Sequence, residues 1–186
     1  PQGELMIVTK SDGRIIKGLN GRPALDVYLE QMGVSRENFD YSKFYNFAMH
    51  SPLGMPSTNK KYIIRDPISA DKKDGSITYA TEVPENSVVR IMTGTSESLI
   101  EAAKRATNKL TEDVNHEKPA FVFVADCISR VLILKDKMSE EIKVIRDAVG
   151  QETPIIGFFS IGEIGYEKGG PPVFANKTCA IHLLAE

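Results

Sequence analysis

Four side chains in the last third of the sequence have chemistry suited to binding and lie beside apolar segments. They are Cys127, Arg130, Glu163 and Asn176. A thiol, a guanidinium, a carboxylate and an amide placed next to a hydrophobic core all need polar partners there. A bound small molecule is one such partner, and another group of the chain itself is the alternative.

Cys127 is a possible nucleophile, because it lies where an apolar strand is predicted to end and a helix to begin. A helix N-terminus lowers the pKa of a thiol, but catalysis would also need a base. The sequence places no histidine near Cys127. We therefore favour a thiol packed at the junction and predict no catalytic residue, with modification by electrophiles left open.

Arg130 falls one turn into the same predicted helix, and Arg65 ends an earlier predicted strand. An arginine directed into a cleft binds a carboxylate with two hydrogen bonds, whereas one directed outward is a solvated charge. Glu163 can receive an amine, pair with an arginine or help to set a turn. Asn176 is equally suited to a ligand contact and to an Asx turn before the last strand.

Metal and cofactor signals are weak in this sequence. The three histidines, His50, His116 and His182, are scattered and none has a second ligand type at metal spacing. The glycines do not form a phosphate-binding or dinucleotide-binding loop, and no Cys-x-x-Cys pair occurs. We predict no metal site and no cofactor.

Composition narrows the class of protein further. The 186 residues include 23 Lys and Arg against 25 Asp and Glu, which gives a net charge of -2. This balance argues against nucleic acid and anionic membranes as partners. Two cysteines are too few for a disulfide framework, and no apolar run approaches the ~20 residues that span a bilayer. We expect a cytoplasmic protein with no membrane contact in this segment.

The first half is predicted to contain more strand than helix. Residues 5–8 and 14–17 flank an Asp-Gly turn and predict a β-hairpin, and a helix is expected to open near Asn20-Gly21 and to end at Gly33. Residues 40–49 predict a short helix followed by an irregular loop. Three strand candidates then follow and predict an antiparallel meander: 61–65, 76–80 and 87–92.

The second half alternates helices and strands. A helix capped by Thr95 or Ser96 is followed by a buried central strand at 119–125, and apolar spacing predicts one long helix over 131–149. Strands are expected at 155–159, as a second central strand, and at 178–184. The predicted fold class is α+β, a mixed and largely antiparallel central sheet with packed helices. We expect one domain over 1–186, in which residues 1 to about 50 are long enough to form a subdomain.

Taken in order, the motifs resemble those of the FIST C-terminal domain. Ala-Asp-Cys-x-x-Arg at 125–130, Pro-Ile-Ile-Gly-Phe-Phe-Ser-x-Gly-Glu-Ile at 154–164 and Phe-x-Asn-x-Thr at 174–178 carry the resemblance, together with residues 8–28 and 75–92. FIST domains are sensory modules found with signalling output domains and in some F-box proteins. The residues that fall in matching motifs are Cys127, Arg130, Gly157, Gly162, Glu163 and Asn176.

This resemblance implies a cytoplasmic small-ligand sensor rather than an enzyme, with amino acids or small carboxylates as the suggested ligands. The implied partners are an N-terminal FIST half and a signalling output domain. We expect a pocket at the edge of the central sheet, in which Arg130 or Arg65 pairs an anionic group and Glu163 an amine. Two alternatives stay open: a protein-protein interaction module and, third, an enzyme that depends on Cys127.

Overall fold

The chain is described here from a computed structural model, which describes residues 1–57, 61–115, 117–166 and 170–185. Contacts between Cα atoms divide it into two compact units, called unit 1 (Pro1–Thr93) and unit 2 (Gly94–Glu186). Within the described residues, no helix is both long enough and apolar enough to cross a bilayer. The organisation of 1–186 as one domain stays a prediction.

Unit 1 is built around one antiparallel sheet in the order β5-β4-β8-β1-β2-β7-β6, with β3 paired to β2. Its strands are β1 (Gln2–Asp12), β2 (Ile15–Leu19), β3 (Arg22–Pro23), β4 (Leu53–Pro56), β5 (Tyr62–Arg65), β6 (Pro67–Ala70), β7 (Ile77–Tyr79) and β8 (Val88–Ile91). Its helices are α1 (Ala24–Gln31) and α2 (Phe44–Ala48), with 3-10 turns at Arg36–Asn38 and Tyr41–Lys43.

Turn chemistry explains the start of unit 1. The predicted hairpin is confirmed, because β1 pairs antiparallel with β2 around Gly13, whose φ of +55° suits the tight turn. The predicted cap of the next helix is wrong. Asn20 and Gly21 form a left-handed turn between β2 and β3, so that α1 begins only after Pro23.

The predicted meander is also wrong. The three strand candidates exist as β5, β7 and β8, but each pairs with other strands: β5 with β4, β7 with β2 and β6, and β8 with β1 and β4. The segment expected to be an irregular loop supplies β4, which lies between β5 and β8. Turn residues between strands mark where a strand ends, but they do not determine which strand becomes its neighbour.

Unit 2 contains a three-stranded sheet in the order β10-β9-β13 and a separate two-stranded sheet of β11 and β12. Its elements are α3 (Ser96–Asp113), β9 (Pro119–Cys127), α4 (Ile128–Leu134), α5 (Met138–Val149), β10 (Ile155–Ser160), β11 (Glu163–Gly165), β12 (Val173–Ala175) and β13 (Cys179–Ala185).

The apolar run at 119–125 forms the central strand β9, as predicted. It pairs in parallel with β10 and antiparallel with β13. Val122 and Val124 lie on the face covered by α5, where they contact Ile145 and Val149. The predicted cap of α3 is confirmed, since Thr95 and Ser98 form a reciprocal capping box.

Two predictions for unit 2 are corrected. The long helix over 131–149 is interrupted by a 3-10 turn at Lys135–Lys137, where Lys135 has a φ of +50°. The chain therefore makes α4 and α5, although the apolar spacing is nearly continuous across the break. The strand at 155–159 is β10, which lies at an edge of its sheet rather than in the centre.

The overall class is as predicted. Helices pack on sheets in which antiparallel pairs predominate, and the parallel pair of β9 and β10 makes the arrangement mixed. The fold is therefore α+β.

Candidate functional site

Four of the five predicted site residues lie together in unit 2. Cys127 ends β9, Arg130 lies in the first turn of α4, Glu163 begins β11, and Asn176 follows β12. All four are nearly fully buried, with exposed fractions of 1% to 3%. The carboxyl ends of the parallel strands β9 and β10 and the start of the antiparallel strand β13 lie at the same end of the sheet, which brings the four residues to one place.

Arg130 is the centre of what we call the buried charge cluster, formed by Asp126, Arg130, Glu141 and Cys179. Its Nε lies 3.1 Å from Oδ1 of Asp126, and its Nη2 donates to Oε1 of Glu141. The guanidinium also donates to the backbone carbonyl of Leu99 at 3.1 Å. Arg130 points inward, as a ligand-binding arginine would, but the carboxylates that it meets belong to the chain.

Burial and neighbouring charges change the pKa values in this cluster. Burial, and then the charge of Glu141, raises the pKa of Asp126 to about 7. Burial raises the pKa of the Cys179 thiol. Burial alone would lower the pKa of Arg130, but the charge and hydrogen bond of Glu141 keep it above its ordinary value. The cluster therefore holds a firmly charged guanidinium beside a carboxyl group that gains or loses its proton near neutral pH.

Glu163 and Asn176 connect segments of the backbone. Oε1 of Glu163 accepts a hydrogen bond from the hydroxyl of Ser160 at 2.7 Å, and Oε2 accepts one from the amide of Thr178 at 3.3 Å. Nδ2 of Asn176 donates to the carbonyl of Ile161 at 3.2 Å. Burial raises the pKa of Glu163, and these hydrogen bonds offset part of that effect. Both side chains thus tie the end of β10 to the start of β13.

Cys127 is a buried thiol. Its Sγ lies 3.1 Å from the hydroxyl of Ser129, and burial raises its pKa. A raised pKa disfavours the reactive thiolate, in contrast to the lowered value expected of a nucleophile at a helix N-terminus. The local sequence correctly suggests a strand-helix junction, but the depth of burial decides the chemistry.

The remaining predicted residue, Arg65, belongs to unit 1. Its Nε donates to the carbonyl of Glu82 at 2.9 Å, and burial lowers its pKa. Two motif glycines allow close packing in unit 2. A Cβ at Gly157 would overlap the carbonyl oxygen of Val124, and one at Gly162 would overlap the ring of Phe174.

The buried charge cluster also contains the only arrangement of metal-ligand type in the part of the chain that the structure describes. Ligand atoms of Asp126, Glu141 and Cys179 lie within 4.8 Å of one another. Arg130 already supplies a positive charge to both carboxylates, so the cluster has its counter-charge without an ion. Of the histidines, His50 lies in unit 1 and His182 in unit 2, while His116 lies outside the described residues.

Sequence reasoning missed a more open candidate, which we call the unit 1 cleft. It is a concave surface of about 460 Å³ lined by Asp26, Ser35, Arg36, Glu37, Phe39, Tyr41 and Lys72. Arg36 holds it together, with Nη1 at 2.6 Å from Oδ1 of Asp26 and Nη2 at 2.7 Å from the carbonyl of Lys72.

The unit 1 cleft presents positively and negatively charged side chains beside aromatic rings. The ammonium of Lys72 lies 5.6 Å from the centre of the Tyr41 ring, within the range of a cation-π contact. Hydrogen bonds from Arg36 to Tyr41 and Asp26 raise the pKa of the guanidinium. Its residues come from three separate segments. Asp26 lies in the stretch 8–28 that carries the family resemblance, but nothing in the sequence shows that residues 35–41 and Lys72 lie beside it.

The fold and the ordered motifs define a class of α+β domains in which polar side chains gather at the carboxyl end of a central strand. Within that class, the FIST C domain family model matches residues 24–166 of the chain. The chain therefore belongs to the FIST C domain family, a family of sensory domains in signal transduction, and the resemblance inferred from the motifs is confirmed. Searches of curated proteins and of solved structures returned no match.

Proposed function

We propose that this chain is a non-enzymatic sensory domain that binds an amino acid or small carboxylate in the unit 1 cleft and relays its occupancy to an output domain. The observation that carries the proposal is the composition of the cleft. An open concavity of about 460 Å³ combines Arg36 and Lys72 with Asp26 and Glu37. Such a site offers a cation to a carboxylate and an anion to an amine.

The accessibility of the two candidate sites favours the cleft. Side chains of the ion pair in the cleft, Arg36 and Asp26, are 30% and 29% exposed, whereas those of Arg130 and Asp126 are each 4% exposed. A ligand that must enter and leave needs solvent access. The ligand-binding role predicted for Arg65, Cys127, Arg130, Glu163 and Asn176 remains the competing proposal for the same function.

A signal from the unit 1 cleft would pass through the segments that Arg36 joins. Arg36 follows α1, and its side chain connects Asp26 on α1 to the backbone of Lys72 after β6. A ligand carboxylate that competes for Arg36 would shift the population of arrangements of these segments. The buried thiol of Cys127, with its raised pKa, supports a function without covalent catalysis.

The experiment is isothermal titration calorimetry of the purified chain against the common amino acids and small dicarboxylates. A compound that binds the wild type should bind Lys72→Gln at least about 10-fold more weakly, because a charge-assisted contact contributes about 1.5–3 kcal/mol. Lys73→Gln is the matched control, since Lys73 is the next residue and does not line the cleft. Equal loss in both variants would contradict the assignment to the cleft.

A third variant tests whether a ligand binds at the sequence-predicted site instead of the unit 1 cleft. Glu163→Gln keeps the shape of the side chain at the sequence-predicted site while removing its charge. If this variant loses binding and Lys72→Gln retains it, a ligand is sensed but the cleft is the wrong site. If no tested compound binds the wild type, the sensory proposal for these ligands fails.

A further inference from the structure

The three-stranded sheet of unit 2 leaves one of its two faces exposed. We call it the outer sheet face, formed by Phe121, Phe123, Ile156, Phe158, His182 and Leu184. Strand pairing aligns Ile156 with Phe123 and Phe123 with His182, so these side chains share one face. The opposite face carries Val122 and Val124, which α5 covers.

Large apolar side chains of the outer sheet face are open to solvent. Ile156 is 58% exposed, and Phe158 and Leu184 are each 57% exposed. The ring of Phe123 lies 5.6 Å from that of Phe158 and 6.2 Å from that of His182, so side chains of all three strands adjoin one another on this face. In soluble monomers a patch beyond a few hundred Å² marks an interaction site.

Strand composition gives a second reason to expect a cover. β9 pairs in parallel with β10 and antiparallel with β13, and a solvated sheet face normally carries polar side chains, whereas the outer sheet face carries mostly apolar ones. In this sheet the helices lie on the inner face, where α3 contacts α5 and β13. The outer sheet face therefore has the apolar composition of a covered face, but none of the helices described in unit 2 lies on it.

We propose that the outer sheet face is the interface of a two-fold homodimer, in which the face packs against the same face of a second copy. Among the strand residues that the structure describes, none on this face is Asp, Glu, Lys or Arg. A two-fold axis packs this face against its own copy, so that residue i meets residue j and j meets i, and a face without charged side chains does so without repulsion. Two sheets packed face to face make a sandwich about 10 Å thick.

The exposed area fits a dimer of moderate affinity. If a large side chain has roughly 200 Å² when fully accessible, the patch offers roughly 500 Å² in each copy. Two copies would then bury about 1,000 Å², near the lower limit of specific interfaces. We therefore expect a dimer that dissociates on dilution in the micromolar range.

The test is sedimentation equilibrium of the whole chain from about 1 to 200 µM, because complexes that bury less than about 1,200 Å² are mostly weak and transient. The wild type should approach twice its monomer mass of 20.5 kDa as the concentration rises. Phe158→Glu should stay monomeric, because each copy would bring a charge into an apolar interface. Circular dichroism shows whether the variant is folded, and its exposed position predicts that it is.

Phe159→Glu is the matched control. Phe159 is the next residue of β10, it is 56% exposed, and alternation directs it away from the outer sheet face. This variant should dimerise like the wild type. A wild type that is monomeric across the range would overturn the proposal, and the expected partner of this face would then be a different protein. Equal dissociation by both variants would overturn it as well, because the contact would then not depend on this face.

Discussion

Each unit of this chain contains an arginine paired with an aspartate, and the two pairs differ mainly in their access to water. In unit 1, Nη1 of Arg36 lies 2.6 Å from Asp26, and about 30% of each side chain is exposed. In unit 2, Nε of Arg130 lies 3.1 Å from Asp126, and 4% of each side chain is exposed. The same chemical pair can therefore serve a reversible site in one unit and hold the fold in the other.

Burial determines this division of roles. Water screens a half-exposed ion pair, so its partners can be exchanged for a ligand at small cost. A buried pair has lost its hydration, and removal of one partner leaves a charge with no compensation. The Ala-Asp-Cys-x-x-Arg motif contains both members of the buried pair, while in the open pair Asp26 lies in the matching stretch 8–28 and Arg36 lies outside the stretches that carry the resemblance.

Removal of the buried arginine should have the largest effect. Arg130→Met leaves Asp126 and Glu141 without their guanidinium in the core of unit 2. We expect the free energy of unfolding to fall by about 3–5 kcal/mol, measured by urea denaturation at neutral pH. A loss below about 1 kcal/mol would mean that Arg130 is not the main counter-charge of the buried charge cluster.

The second prediction concerns pH. The pKa of Asp126 is raised from 3.8 to about 7 in the folded chain, so the folded state holds a proton that the unfolded state releases. The free energy of unfolding should therefore decline as the pH rises from about 4 to 7, by at most about 1.4 kcal/mol per pH unit. Asp126→Asn, which resembles the protonated form, should flatten this decline in urea melts at pH 5 and pH 8. An unchanged slope would place the titrating group elsewhere.

The third prediction concerns removal of the arginine from the partly exposed ion pair of unit 1. Arg36→Met removes an ion pair and a hydrogen bond to the backbone of Lys72, both in contact with water. The expected loss of stability is about 1 kcal/mol, clearly less than for Arg130→Met. Equal losses in the two variants, compared in one urea series, would contradict the distinction between the units.

Much of the fold could be predicted from local pattern. The Asp-Gly hairpin, the capped helix α3 and the apolar strand β9 each have a short-range physical cause. The order of strands in unit 1 could not be predicted, because β8 lies between β1 and β4, which are distant in sequence. The break at Lys135 was missed because neither glycine nor proline marks that positive φ.

The candidate sites, like the fold, could be predicted from the sequence only in part. The structure brings Cys127, Arg130, Glu163 and Asn176 together near strand ends, and their predicted role in ligand binding stays a prediction. The motifs could not show that Glu141, from α5, would accept a hydrogen bond from the guanidinium of Arg130. The unit 1 cleft depends on a backbone carbonyl at Lys72 meeting the side chain of Arg36. Such a contact between distant segments leaves no trace in residue types or spacing.

The most direct test of where ligand binds is an amide NMR titration of the ¹⁵N-labelled chain with an amino acid or carboxylate identified by calorimetry. If the unit 1 cleft is the sensory site, the largest chemical-shift changes will fall at Asp26, at residues 35–41 and at Lys72. The amides of Arg130, Glu163 and Asn176 should change little. Changes centred on those three residues, with the cleft unaffected, would contradict the account and place the ligand beside the buried charge cluster.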